Sequence, residues 1–286
     1  MIVAFKLKPQ KESLIRYYDQ LDAVGSIGTK NTTQLIRIEE ISISRTDFGV
    51  TTDNRQIYIV GGKINGKVTN IVERYDYDSK IWTTLPPLPY KRFGCAVIIV
   101  GRNLYAIGGN YGDAPSKTMQ ILNLDTNIWY EDDPHMREGR EFASVVHYNN
   151  HIYVVGGITT KCKPLFERYN IIDRTWESSI QYNNCCSQYS AMIIGDILYM
   201  KSGVNMLEYS LKTTLMSEKS GGRYHDDHTM IFPHMDGMVA VIKDSTNTLL
   251  IARYSVETRE WYYTQTHEIA SWNTGCCSIR QLPCEL

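Results

Sequence analysis

The sequence is short of almost everything that marks an enzyme, a metal protein or a membrane protein. No G-x-S-x-G, no H-E-x-x-H and no phosphate-cradling P-loop occurs in its 286 residues. No apolar run approaches the length that spans a bilayer. The five-residue apolar start of MIVAFKLKPQ is too short for a signal peptide. The seven cysteines contain no C-x-x-C pair, which leaves a zinc ribbon or a dithiol redox motif unsupported. Their odd number, with the adjacent pairs Cys185-Cys186 and Cys276-Cys277, fits reduced thiols in an intracellular protein. Neither sign of charge dominates. Thirty basic and 31 acidic residues give a net charge of −1, which argues against a nucleic-acid binder held by phosphate contacts. Phenylalanine is scarce at 6 residues while tyrosine reaches 20, a choice that suits half-buried β surfaces.

What the sequence does have is repetition. IYIVGG at 57–62 returns as LYAIGG at 104–109 and as IYVVGG at 152–157. The first glycines, Gly61, Gly108 and Gly156, lie 47 and 48 residues apart, and sixteen positions before each stands an arginine: Arg45, Arg92 and Arg140. A tryptophan follows each at 21, 21 and 20 positions: Trp82, Trp129 and Trp176. Three markers in register over three copies define a repeat. Each unit reads as four short strands: one after the arginine, one ending in Gly-Gly, one ending in ERYD-like residues and one starting at the tryptophan. The glycines are expected where the chain bends and backbones crowd. Tyr75 and Tyr169, seven residues before Trp82 and Trp176, are expected to pack on them, with Leu122 in the tyrosine's place before Trp129. These tryptophans, with Trp261, are assigned to the core. The arginines are assigned to structure, since a guanidinium has five donors for neighbouring carbonyls.

Weaker copies extend the pattern. Residues 197–210 keep the strand and Tyr209, with Ser202-Gly203 for the glycine pair and Met216 for the tryptophan. Residues 238–261 lose the glycines but keep Tyr254 and Trp261. At the start, MIVAFK, ESLIRYYD and TQLIRI (33–38) resemble the second to fourth strands of a unit, and CCSIRQL (276–282) is a spare first strand. A unit of this size cannot bury both faces alone, so the units are expected to stack radially and close. The expected fold is an all-β, six-bladed propeller of four-stranded antiparallel blades, the first closed by the C-terminal strand. The expected blades are 1–43 with 275–286, then 44–91, 92–139, 140–184, 185–227 and 228–274.

The Arg, Gly-Gly, Tyr and Trp pattern resembles the kelch repeat over essentially the whole chain. It is similar to the C-terminal propeller of BTB–BACK–kelch proteins, in which the propeller captures a substrate and the BTB and BACK segments recruit a cullin 3 ubiquitin ligase. The chain starts inside its first blade, so cullin 3 is expected only through a BTB–BACK segment absent from it. Decayed late blades and abundant Ile, Asn, Tyr and Lys are similar to the kelch proteins of poxviruses, which implies a host protein as target and the host cytoplasm as location. The resemblance implies a non-catalytic interaction domain. The alternatives are an actin- or cytoskeleton-binding kelch protein and a kelch-only decoy that sequesters its target.

Kelch adaptors use residues just after the Gly-Gly pair and just after the blade-starting arginine. Carried onto this chain, the first set is Lys63 and Asn65, Asn110 and Tyr111, Thr159 and Thr160, and Asn205. The second set is Thr46 and Asp47, Phe93, and Glu141 and Phe142. Cys186 stands in the arginine's place in the fifth unit, so Ser187, Gln188 and Tyr189 follow there. These aromatic and polar side chains suit capture of a protein or short peptide by a few hot spots on the loop rim. Asp47, Gly94 and Phe142 stand where acidic-peptide binders of the family often place arginines, so a neutral or basic ligand is expected. No cofactor, metal, nucleic acid or membrane is expected. HDDH (225–228), with His234 nearby, has metal-site composition but no zinc spacing, and reads as a solvated loop, as does the charged stretch 132–141. The vicinal cysteines suggest redox sensing only if exposed with a lowered pKa. Copper radical oxidases share this propeller type, but no local spacing ties the Tyr, His and Cys residues into their ligand set. No sialidase Asp-box is present.

Overall fold

The computed structural model describes residues 2–8, 11–19, 33–40, 43, 45–53, 55–76, 78–160, 165–178, 189–202, 205–220, 229–234, 237–243 and 248–268. Among them every regular element is a strand. The first sheet is a three-stranded meander, Ile2–Lys8, Lys11–Asp19 and Thr33–Glu40. Five four-stranded antiparallel meanders follow. The second is Gly49–Asp53, Gln56–Val60, Val72–Asp76 and Ile81–Leu85. The third is Ala96–Val100, Asn103–Ile107, Met119–Asn123 and Ile128–Asp132. The fourth is Ser144–Tyr148, His151–Val155, Phe166–Asn170 and Thr175–Ser178. The fifth is Ser190–Ile194, Ile197–Ser202, Asn205–Ser210 and Met216–Ser220. The sixth is Thr229–His234, Gly237–Lys243, Thr248–Ser255 and Glu260–Glu268. From the second sheet to the sixth, the first strand of each lies against the first strand of the next, as inner strands of propeller blades do. The expected closing strand, 276–282, lies outside the described residues.

The core is not inside a sheet but between sheets, and strand alternation makes it. In the third sheet Val97, Ile99, Leu104 and Ala106 pack with Tyr58, Val60 and Val72 of the second. Their neighbours Ala96, Ile98, Tyr105 and Ile107 pack with Val145, Ile152 and Val154 of the fourth. Both faces are buried, so the inner strands read as unbroken apolar runs such as AVIIV rather than alternating ones. Cys95 belongs to this interior, and burial pushes its thiol up to about 11, which keeps it protonated and unreactive at neutral pH.

The expected tyrosine–tryptophan contacts are present as directly opposed cross-strand pairs. Ring centroids are 5.0 Å apart for Tyr75–Trp82, 5.2 Å for Tyr169–Trp176 and 5.1 Å for Tyr254–Trp261. Leu122 opposes Trp129, and Tyr209 opposes Met216. The tryptophans themselves are half-buried, not core residues as expected, because the fourth strand is the outer edge of each sheet. Trp129 uses its exposed edge to donate to the Pro86 carbonyl of the preceding sheet, at 2.8 Å.

The arginines hold the sheets. Arg45, Arg92 and Arg140 are buried, and Nη1 of each donates to a carbonyl: Ile71 at 3.1 Å, Gly108 at 2.8 Å and Gly156 at 2.6 Å. Arg45 also pairs with the buried Glu73, and Arg140 with Glu167. In the third sheet Gln120 takes the glutamate's register position, and Arg92 turns instead to the Tyr111 and Thr118 hydroxyls, each at 3.1 Å. The first two Gly-Gly pairs dock on the next arginine's backbone: Gly62 N–H donates to Arg92 O at 2.8 Å, and Gly109 N–H to Arg140 O at 2.7 Å. Arginine and glycine keep register because they touch across a sheet boundary.

Among the described lysines, Lys201 is the one whose pKa is lowered by desolvation. It is 1% exposed in the second strand of the fifth sheet, with its ammonium 5.4 Å from the Trp261 ring centroid. Burial brings it down from 10.5 to about 8. Between those values the unfolded chain holds more protons, so this residue makes stability rise with pH from about 8 to 10.5. Lys201→Met is therefore expected to melt higher than wild type at pH 7, with the gap narrowing as pH rises through that window. Parallel melting curves across it would refute the assignment.

Candidate partner-binding site

The two candidate sets converge at one end of the sheets. Each post-arginine residue forms an antiparallel bridge with a residue two positions after the first glycine: Thr46 with Lys63, Phe93 with Asn110, and Glu141 with Ile158. Both backbone hydrogen bonds of every bridge lie between 2.7 and 3.1 Å. In the fourth sheet the bridging residue is thus Ile158, which is 43% exposed, while Thr159 is half-buried beside it and Thr160 is exposed. The position equivalent to Lys63 and Asn110 is therefore Ile158, with Thr159 and Thr160 one and two residues beyond it.

The next position in each sheet forms a track from sheet to sheet. Asp47, Gly94 and Phe142 all have left-handed backbones, with φ of 55°, 61° and 56°. Gly94 N–H donates to Asp47 O and Phe142 N–H to Gly94 O, both at 2.7 Å. Side chains rise from this track in contact. The Lys63 ammonium is 2.9 Å from the Asp47 carboxylate and 3.5 Å from the Phe93 ring centroid, and Phe93 lies 6.0 Å from Phe142. A Cβ at Gly94 would come within 2.9 Å of the Phe142 ring, so the phenylalanine occupies the space where an acid-binding arginine would need to start.

The other candidates are less alike. Asn65 is exposed at the tip of a two-residue ribbon, Lys63–Ile64 with Lys67–Val68. Asn110 is only 7% exposed, and its Oδ1 accepts from Gly112 N–H at 2.7 Å, which shapes the loop. The Tyr111 hydroxyl faces inward, accepting from Arg92 and from Ser116 Oγ at 3.0 Å, while its ring stands 6.1 Å from that of Tyr90. Asn205 opens a strand and pairs with Ser202. Tyr189 is buried in the cluster that holds Tyr153, Leu198 and Met200 rather than on the loop face, because it directly precedes an inner strand. Ser187 and Gln188 lie outside the described residues, as do 225–228 and the vicinal cysteines. Among the described residues no group of three His, Cys, Asp or Glu side chains is placed to hold a metal.

Tyr90 was not among the candidates, yet it is 58% exposed. With Pro89, Lys91, Tyr111 and Val68–Asn70 it walls an open cleft of about 540 Å³ between the second and third sheets. Pro89, Tyr90 and Lys91 directly precede Arg92, whereas the kelch resemblance pointed to residues that follow the arginine or the glycine pair.

A series of four-stranded antiparallel sheets packed first strand to first strand, an arginine and glycine clamp between neighbours, and an aromatic and polar face built from their loops define a kelch-type interaction propeller. The KLHDC2/KLHL20/DRC7 Kelch-repeats domain family matches residues 23–216, and the chain belongs to this family. It is 25% identical over 147 residues to Kelch-like protein 15 of Mus musculus, covering 46% of this chain and 24% of that protein. It is 25% identical over 204 residues to Kelch-like protein 40 of Xenopus laevis, covering 70% of this chain and 32% of that protein. An F-box/kelch-repeat protein of Arabidopsis thaliana is 29% identical over 97 residues, covering 33% of this chain and 26% of that protein. The chain thus spans about a quarter to a third of these relatives' length. What the family shares is a protein-interaction module, typically non-catalytic.

Proposed function

We propose that this chain is the non-catalytic target-recognition module of a cullin 3-type ubiquitin ligase adaptor, acting in the cytoplasm, and that it captures its target on the loop face holding Asp47, Lys63, Phe93, Tyr111, Glu141 and Phe142. Coupling to cullin 3 belongs to a BTB–BACK segment outside this sequence. One observation carries the reading: two loop sets separate in sequence meet at one end of the sheets, where the Asp47 carboxylate, the Lys63 ammonium and the Phe93 and Phe142 rings touch in turn across three sheets. Rigid aromatic anchors beside polar groups make the small set of hot spots by which peptides are held. The poxvirus likeness points to a host protein as that target. The test is an affinity pull-down from cytosol, comparing wild type with a combined Asp47→Ala, Tyr111→Ala, Phe142→Ala variant by mass spectrometry. Partners lost with the variant and kept by wild type are expected. Equal recovery of every partner would place the binding surface elsewhere.

A further inference from the structure

Resting on the reading of this face as the partner-binding one, we infer that it is a cation-accepting box, half filled by the chain's own Lys63 and completed by a basic side chain of the partner at Glu141 and Phe142. Lys63 shows what the box selects. Its ammonium meets a carboxylate at 2.9 Å and a ring face at 3.5 Å, the two groups that together favour an organic cation over a neutral or acidic one. Phe93, which receives it, leads on to Phe142 at 6.0 Å, and Glu141 is the residue next to Phe142.

The charges in this line do not balance. Asp47 and Glu141 are two carboxylates against the single ammonium of Lys63, and that ammonium is on Asp47. Glu141 has its backbone fixed by the bridge to Ile158, while its Oε2 is withdrawn from solvent and accepts no hydrogen bond among the described residues. A carboxylate oxygen removed from water without a donor is destabilising until one arrives. Among the described residues this line therefore holds one positive charge fewer than its carboxylates, at a residue directly followed by Phe142. A guanidinium meets both needs, since it bonds a carboxylate through its donor fork and stacks on a ring through its plane. An acidic segment would instead meet Asp47 and Glu141. The Tyr90–Tyr111 cleft has Lys91 as its charged lining residue and offers no carboxylate to a cation, and the Lys201 side chain is buried.

The experiment is amide NMR of the chain titrated with N-acetyl-Arg-Gly-Arg amide and, separately, N-acetyl-Glu-Gly-Glu amide. Saturable shifts at Gly94, Glu141 and Phe142 are expected with the arginine peptide alone. Glu141→Gln, close to isosteric, is expected to weaken that binding about tenfold. Lys63→Met, which empties the Asp47 and Phe93 half of the box, is expected to tighten it. Dispersed spectra of both variants verify folding, and Phe142→Leu gives an independent loss if either fails. The inference is overturned by shifts with the glutamate peptide, by no shifts with the arginine peptide up to about 10 mM, or by unchanged affinity in Glu141→Gln. If the triple variant loses its protein partners while the arginine peptide does not bind, the face stands and only its basic preference falls. If the triple variant keeps all partners, the face itself is wrong whatever the peptide does.

Discussion

Gly108→Ala is expected to unfold about 4–10 °C below wild type, while Gly101→Ala falls by only about 2–4 °C, measured as thermal melts by circular dichroism. The two glycines have nearly the same backbone, with φ of 63° and 60°, so each alanine pays the same left-handed penalty of about 1–2 kcal/mol. They differ in what surrounds them. A Cβ at Gly108 would lie 2.3 Å from the Arg140 carbonyl oxygen, whereas nothing lies within 4 Å of one at Gly101. That oxygen cannot yield, because it accepts from Gly109 N–H at 2.7 Å and belongs to the backbone that enters the fourth sheet. Relieving the clash means parting two sheets, a further cost of about 1–3 kcal/mol. Gly61, with the Arg92 carbonyl 2.2 Å from its Cβ position, predicts the same result one sheet earlier. Equal melting of Gly108→Ala and Gly101→Ala would show that the glycines serve only backbone conformation.

That contact also explains why so much of the fold could be read before any coordinates. Arginine, glycine pair and tyrosine–tryptophan pair recur at fixed spacing because each meets a fixed partner, either directly across a strand pair or just over a sheet boundary. What could not be read are contacts whose partners lie outside the repeated markers. Glu73 and Glu167 recur in ERYD and ERYN, but nothing in their spacing announces that they neutralise arginines 28 and 27 residues away. The tryptophans recur like core residues, yet the radial position of their strand, which sequence does not encode locally, leaves them half-buried. At the candidate site, loop position predicted which residues gather at one end, but not their burial. Loop position predicts Tyr111 at the surface, yet its hydroxyl is committed to Arg92 because Gln120 stands where the neighbouring sheets have a glutamate. Tyr90 and Lys91 escaped because they sit on the other side of the marker arginine, where the chain has not yet entered the bridge.

Arg140→Met is expected to be the most damaging single side-chain change in the described structure, costing about 3–5 kcal/mol. Arg140 and Glu167 are 1% and 0% exposed at the side chain, so neither charge can recover its loss from water. Glu167 is more than a counter-ion. Its oxygens also accept from the Arg137 N–H at 2.6 Å and the Glu138 N–H at 3.2 Å, tying the loop from the third sheet to the third strand of the fourth. Removing the guanidinium strands a buried carboxylate and frees the Gly156 carbonyl that Nη1 holds at 2.6 Å. The double variant Arg140→Met, Glu167→Gln removes both charges while keeping an acceptor for the loop amides, so it is expected to melt above Arg140→Met alone. This order follows from the cost of an unpaired buried charge, which exceeds the worth of the pair itself. If the double variant instead loses the sum of the two single changes, the arginine acts mainly through the Gly156 carbonyl. The repeated arginine would then be a backbone clasp, and the carboxylate a partner it can do without, as Arg92 already does beside Gln120.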